Sequence, residues 1–180
     1  MRRSFAVHAG AALVLSVAQL SAAALTLLPG HSVFGDGKLA VGLSMLALFP
    51  VFLTALVRGI LLQTDGVRLG RNPSLQWLAL RCLPRSVQVC LLAVFAAGIA
   101  LVVSSSGEDR QALDPRDGRY YAVYTGIPRQ EIEISRTEYE ALIKIDQRTM
   151  FAIPGLLSAG AATLVLVTGQ LRTAPGVERA

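Results

Sequence analysis

Four long runs in this 180-residue chain contain no Asp, Glu, Lys or Arg in their interiors, and no other feature constrains the fold so tightly. They cover 5–28, 39–57 (extendable past Arg58 to 62), 86–104 and 149–171. An uncharged apolar run of about 18 residues or more reads as a membrane-spanning helix, because lipid offers no partner to backbone N–H and C=O groups. Composition agrees, with 53% hydrophobic and only 16% charged residues, against roughly a quarter charged in a soluble domain. Lipid then takes about half of the chain, leaving too little for a conventional enzyme domain. The expected fold class is an all-α membrane protein, a four-transmembrane-helix bundle forming one integral membrane domain over 1–180. A small extramembrane β-hairpin and a helix extension lie between spans three and four.

The net charge of +5 sits mainly beside the spans. Arg2 and Arg3 precede the first, and Arg58, Arg68, Arg71, Arg81 and Arg85 surround the second and third. Such charge sets topology and meets anionic headgroups. No basic stripe interleaves with stacking aromatics, so no nucleic-acid partner is expected. The favoured orientation puts both termini in the cytoplasm and 105–148 outside a plasma membrane crossed several times. One count opposes it: 105–148 itself holds six arginines and one lysine. Its nine acidic residues offset them in charge but weigh little in the rule.

The first run also resembles a secretion signal, with Arg2, Arg3 and an Ala22-x-Ala24 pattern. Its uncharged stretch exceeds the roughly 7–15 residues of a signal core, which favours an uncleaved first span. The connection from Pro29 to Lys38 is short and rich in Gly30, Gly35, Asp36 and Gly37, making spans one and two an antiparallel hairpin. Pro50 should bend span two. Between spans two and three, Asp65-Gly66 reads as a turn and Asn72-Pro73 as a helix start. A short helix with Trp77 and Arg81 follows, stopped by Pro84. It suits either a headgroup-level helix or an amphipathic linker. Small residues, Ala93, Ala97 and Ala100 in span three and Gly155, Ala159, Gly160 and Thr163 in span four, mark faces for close helix packing within or between chains.

Residues 105–118 are polar, turn-rich and expected to be mobile. RYYAVY and QEIEI then form a hairpin over 119–134, aromatic in its first strand and alternating in its second. Two strands alone are marginal in water, so the next helix should support them. That helix opens on a capping box, Ser135 and Glu138. Arg136/Glu140 and Glu140/Lys144 are spaced to pair. Tyr139, Leu142, Ile143 and Met150 share a stripe that includes Asp146. Nothing breaks the helix before Pro154, so it should run on into span four and bend there.

Candidate chemistry is sparse. Cys82 and Cys90 form no redox or zinc motif. No triad, phosphate loop or histidine cluster is present, so neither catalysis nor a cofactor nor a metal is expected. His8 is the one ionisable residue inside an uncharged run and reads as interfacial. Ser16 and Gln19 are placed for interhelical hydrogen bonds. Glu131 and Glu133 read as a solvated strand face rather than a catalytic pair, and 114–118 lacks the spacing of a calcium loop. Asp146 is the strongest single candidate. On an apolar stripe it requires a partner, Arg119 or Arg129, unless it stands in water. Tyr120, Tyr121, Tyr124 and Tyr139 offer surface for recognition. Function remains open between two classes. One is an accessory, regulatory or immunity-type subunit touching a membrane protein partner or a second copy of itself. The alternative is an oligomeric pore or carrier for an uncharged or apolar solute.

Overall fold

The computed structural model describes residues 3–30, 38–64 and 73–172. The connection at 31–37, the turn at Asp65-Gly66 and the Asn72 cap lie outside the described residues. Four helices are long and apolar enough to cross a membrane: α1 (Arg3–Leu25), α2 (Lys38–Thr64), α4 (Arg85–Ser105) and α5 (Arg136–Leu171). The short α3 (Pro73–Arg81) precedes α4, and three strands, β1 (Arg110–Arg116), β2 (Arg119–Tyr124) and β3 (Glu131–Ile134), stand between α4 and α5.

The bundle is built around α5, against which α1, α2, α4 and α3 all pack. In α5, 56% of the most apolar window is buried, against 17% in α2 and in α4. The sequence of α5 makes this central place possible. Ala152, Gly155, Ser158, Ala159, Ala161 and Ala162 let neighbours approach from several sides. Leucine side chains fill the space that the glycines leave. A Cβ on Gly155 would lie 2.7 Å from Leu20 Cδ2, and one on Gly98 would lie 2.5 Å from Leu156 Cδ2. Outward-facing side chains are equally telling: Leu39, Leu46 and Phe49 on α2 and Val89, Leu92 and Val103 on α4 are all exposed. A continuous apolar exterior of this kind calls for a non-aqueous surround.

The small-residue face expected on α4 is not the buried one. Leu91, Val94, Gly98 and Leu101 face inward, whereas Ala93, Ala97 and Ala100 face out. Large side chains fill the core on the inward side, and a single glycine suffices to admit Leu156. On α5, Gly155 and Ala159 are buried, but nothing approaches Gly160. Both prolines sit within continuous helices, Pro50 in α2 and Pro154 in α5. Trp77 and Leu78 of α3 are exposed, while Ala79 and Leu80 join Val167 and Leu171 in a small cluster at the far end of α5.

The sheet is three-stranded and antiparallel, in the order β1-β2-β3, rather than a two-stranded hairpin. β1 occupies part of the stretch expected to be mobile. Its formation depends on Asp117 and Gly118, whose φ angles of 51° and 76° form a tight turn between Arg116 and Arg119. Positive φ at both central residues is the geometry that joins strands without splaying them. A register irregularity between Leu113 and Arg116 accommodates Asp114 and Pro115, as expected for a proline on an edge strand.

Candidate functional site

α5 holds 36 residues, about 54 Å at 1.5 Å per residue. A bilayer core takes only about 30 Å of that length. The surplus is the first third of the helix, which begins at the Ser135–Glu138 capping box. Ser135 Oγ accepts from the Glu138 N–H, and the Glu138 carboxylate accepts from the Ser135 N–H. Arg136 pairs with Glu140 at 2.9 Å, as spaced. The sheet lies on this part of the helix. Across the strands Ala112, Ala122 and Ile132 stand opposite one another. Ala122 is 0% exposed in the middle strand, and Leu142, between Tyr139 and Asp146 on the helix, is 2% exposed. The Tyr120 and Tyr139 rings pack 4.8 Å apart. Tyr120 and Tyr124 share the face of Ala122 by strand alternation, so three of the four tyrosines belong to this contact or border it. Tyr121 lies on the opposite face with Leu113 and Val123, all partly exposed. Arg116 pairs there with Glu131 at 3.2 Å and Arg119 with Glu133 at 3.4 Å. The two glutamates are thus an ion-paired rim on the open face.

Asp146 is half-buried between α5 and β1, outside the 149–171 span. Its carboxylate accepts from the backbone N–H of Ala112, an edge-strand donor. The arginine partners expected for it are not used: Arg119 is with Glu133 and Arg129 is exposed in the β2–β3 loop. Burial raises the carboxyl above its ordinary value, the Ala112 N–H opposes that shift, and the nearby Glu108 charge adds to it. The folded state therefore holds the proton more tightly than the unfolded chain. Stability should decline as pH rises from the ordinary carboxylate value through the raised one, then level off. Asp146→Asn keeps an acceptor for Ala112 and removes the charge. Its unfolding midpoint at neutral pH is expected to equal or exceed that of the native chain, with the acid-side slope flattened. Asp146→Ala strands the edge N–H and should cost about 1 kcal/mol. Midpoints measured for all three at mildly acid and neutral pH check this, and a lower midpoint for the Asn variant than for the Ala variant would refute it.

Two residues on either side of Asp146, and about one turn from each other, α5 carries two cations. Lys144 does not pair with Glu140. Its Nζ donates instead to the carbonyls of Leu28 and Gly30, just past α1. Arg148 is only 9% exposed. Its Nε donates to Thr26 Oγ1 at 3.2 Å, and Nη1 donates to the Ser104 carbonyl at 3.2 Å. Arg148 lies immediately before an uncharged run and so looks like an ordinary flanking arginine in the sequence. Only the folded chain reveals it as buried beside the ends of α1 and α4 nearest the sheet.

Within the bundle, Ser16 and Gln19 join neighbouring helices as expected. Ser16 Oγ donates to the Gly155 carbonyl at 2.7 Å. Gln19 Nε2 donates to Ser44 Oγ at 2.8 Å and its Oε1 accepts from Ser158 Oγ at 2.9 Å, which links α1, α2 and α5. His8 Nε2 lies 3.1 Å from the Val51 carbonyl, tying α1 to α2. Among the described residues, no three His, Cys, Asp or Glu side chains group as metal ligands. Cys82 and Cys90 are free and exposed. These elements make a polar-pinned bundle carrying a small sheet with one open face. No protein-family model, curated protein or solved structure matches this chain.

Proposed function

We propose that this chain is a four-span integral membrane protein of the plasma membrane that acts through protein contacts, as an accessory, regulatory or immunity-type subunit. In this reading both termini are cytoplasmic and the sheet stands outside. The observation that carries it is the uncovered face of a sheet fixed to the central helix. Leu113, Tyr121 and Val123 form a partly exposed apolar centre, and Arg116, Arg119, Glu131 and Glu133 surround it. A partly apolar, aromatic centre within a charged rim is the usual composition of a transient protein interface. Ile127, fully exposed in the β2–β3 loop, extends the apolar surface. The position of α5 also supports contact over conduction, since small side chains and packed leucines occupy the axis that a pore through one copy would need. A pore assembled from several copies is the competing reading.

A photo-crosslinking residue in place of Tyr121, in intact cells, is expected to capture a discrete membrane-protein adduct. The adduct should fall at least about tenfold when Arg116 and Arg119 are both reversed to Glu, since charges aligned at an interface govern encounter and register. Recovery of the chain alone as a monomer from mild detergent, with no adduct at Tyr121, would remove the proposal. Solute flux into reconstituted vesicles above that of empty ones would favour the pore.

A further inference from the structure

We infer that Lys144 and Arg148 form a binding site for the phosphodiester of an anionic phospholipid, at the outer ends of α1, α4 and α5. Arg148 is buried, yet among the described residues it has no carboxylate partner. Among those residues its hydrogen bonds run to the Thr26 and Ser104 hydroxyls and to the Ser104 carbonyl. Those hydroxyls do not depend on it. Thr26 Oγ1 already donates to the Ala23 carbonyl at 2.7 Å, and Ser104 Oγ to the Leu101 carbonyl at 2.8 Å. Removing the guanidinium would leave neither hydroxyl without a bond. The Ser104 carbonyl, in the last turn of α4, does gain a donor from Nη1, but a neutral acceptor leaves the charge itself unpaired, and a buried unpaired cation is costly. An ionised partner from outside the chain resolves the cost.

The surroundings choose the partner. Arg148 Nη2 makes no bond among the described residues, so one arm of the planar fork remains to meet phosphate oxygens. Lys144, four residues earlier, lies on the same helix face. It spends two of its three donors on Leu28 and Gly30 and keeps the third. Directly beside these cations, Leu27, Leu28 and Val103 are exposed apolar side chains. Cations above a greasy rim match a headgroup above its acyl chains better than they match free phosphate. The inference rests on the membrane reading above but not on the protein-contact role.

The full chain, reconstituted in nanodiscs of phosphatidylcholine with a minority of phosphatidylglycerol, tests this by quantifying the lipid that co-purifies after delipidating washes. Phosphatidylglycerol is expected to be enriched on the order of tenfold over its share in the mixture, each cation near a charged headgroup contributing a severalfold preference. Arg148→Met and Lys144→Gln should each lose most of that enrichment, and Arg148→Met should unfold within about 1 kcal/mol of the native chain, since both hydroxyls keep their helix bonds and only the Ser104 carbonyl loses a donor. Should Arg148→Met not fold, Lys144→Gln, at an exposed donor, and Arg148→Lys, which keeps charge but not the fork, carry the comparison. Equal retention of the two lipids, or unchanged enrichment in Lys144→Gln and Arg148→Lys, overturns the site. So does protection by inorganic phosphate alone that equals protection by phosphatidylglycerol, since the source is then not lipid. A chain recovered in the soluble fraction of lysed cells removes the membrane reading itself, whereas a membrane-bound chain without lipid preference removes only the site.

Discussion

The Gly155→Leu substitution is expected to lower the unfolding midpoint in detergent by roughly 10 °C, the result of an overpacked core losing about 3 kcal/mol in a chain of this size. The cause is the closest approach of α1 to the central helix. A Cβ at 155 would stand 2.7 Å from Leu20 Cδ2, 2.9 Å from Leu20 Cγ and 3.5 Å from Gln19 Cβ. The tip of Leu20 can rotate about χ2, but its branch carbon moves only by a change of χ1, which a helix restricts to two rotamers. A full leucine side chain would also push the Gly155 carbonyl away from Ser16 Oγ, breaking a 2.7 Å bond in the buried interior. Strain would then spread to Gln19, whose bonds hold Ser44 and Ser158. Gly160→Leu provides the contrast. It lies on the same helix, and a Cβ there meets nothing within 4 Å, so its midpoint should stay within about 0.5 kcal/mol of the native chain's. Melting both variants side by side decides the matter. Equal losses would mean that the close approach at Gly155 does not set the cost, since helix propensity favours leucine over glycine at both sites. A large loss at Gly160 alone would reveal an interface between copies on that face.

That contrast also explains what the sequence could and could not convey. Long uncharged runs announce helices of membrane length because lipid imposes one solution on the backbone, and α1, α2, α4 and α5 appear where those runs lie. The Ser135–Glu138 box and the unbroken stretch to Pro154 likewise announce α5, since capping and the lack of a breaker act locally. Which face of a helix turns inward is not a local property when small residues occur all round it. Ala93, Ala97 and Ala100 have the right spacing, yet the inward face belongs to Leu91, Val94, Gly98 and Leu101. β1 escaped for a related reason. Arg110–Arg116 has little apolar alternation, and its pairing is dictated by the Asp117-Gly118 turn and by β2. The turn was legible, but the strand on its near side was not. Asp146 stands out in the sequence as a carboxylate on an apolar stripe, and in the fold it is half-buried. Its partner, the Ala112 N–H, belongs to that same unrecognised strand. Arg148 had no local signal at all, because an arginine next to a span is ordinary until Thr26 and Ser104 close around it.

The Leu142→Asp substitution is expected to free the sheet from α5 while leaving the bundle folded. Leu142 is 2% exposed and lies between Tyr139, which packs on Tyr120 of β2, and Asp146, which accepts from Ala112 of β1. Polar and aromatic contacts also hold the sheet: the Tyr120–Tyr139 ring pair, the Asp146 acceptor for Ala112, and an exposed Lys38–Asp114 ion pair at 2.7 Å. An exposed ion pair contributes at most about 1 kcal/mol. An unpaired carboxylate in the Leu142 position costs about 3 kcal/mol or more, which exceeds what a three-stranded sheet can recover by itself. Amide hydrogen exchange should therefore accelerate on the order of a hundredfold in β2 and β3. Exchange in α1 and in α5 beyond Thr149 should stay as slow as in the native chain, because the contacts of Phe151, Ala152, Ala159 and Val165 lie elsewhere. Leu142→Ala separates charge from cavity, and its smaller loss of about 2 kcal/mol should give a partial release. Sheet amides that remain fully protected in Leu142→Asp would show that the sheet stands independently of the helix. The protein-contact proposal makes a sharper demand on the same variant. If the face of Leu113, Tyr121 and Val123 works because α5 holds it at a set height and angle, its crosslinked adduct should disappear in Leu142→Asp with every residue of that face intact. An adduct that survives release of the sheet would mean that α5 merely tethers the sheet rather than holding its face at a set height and angle.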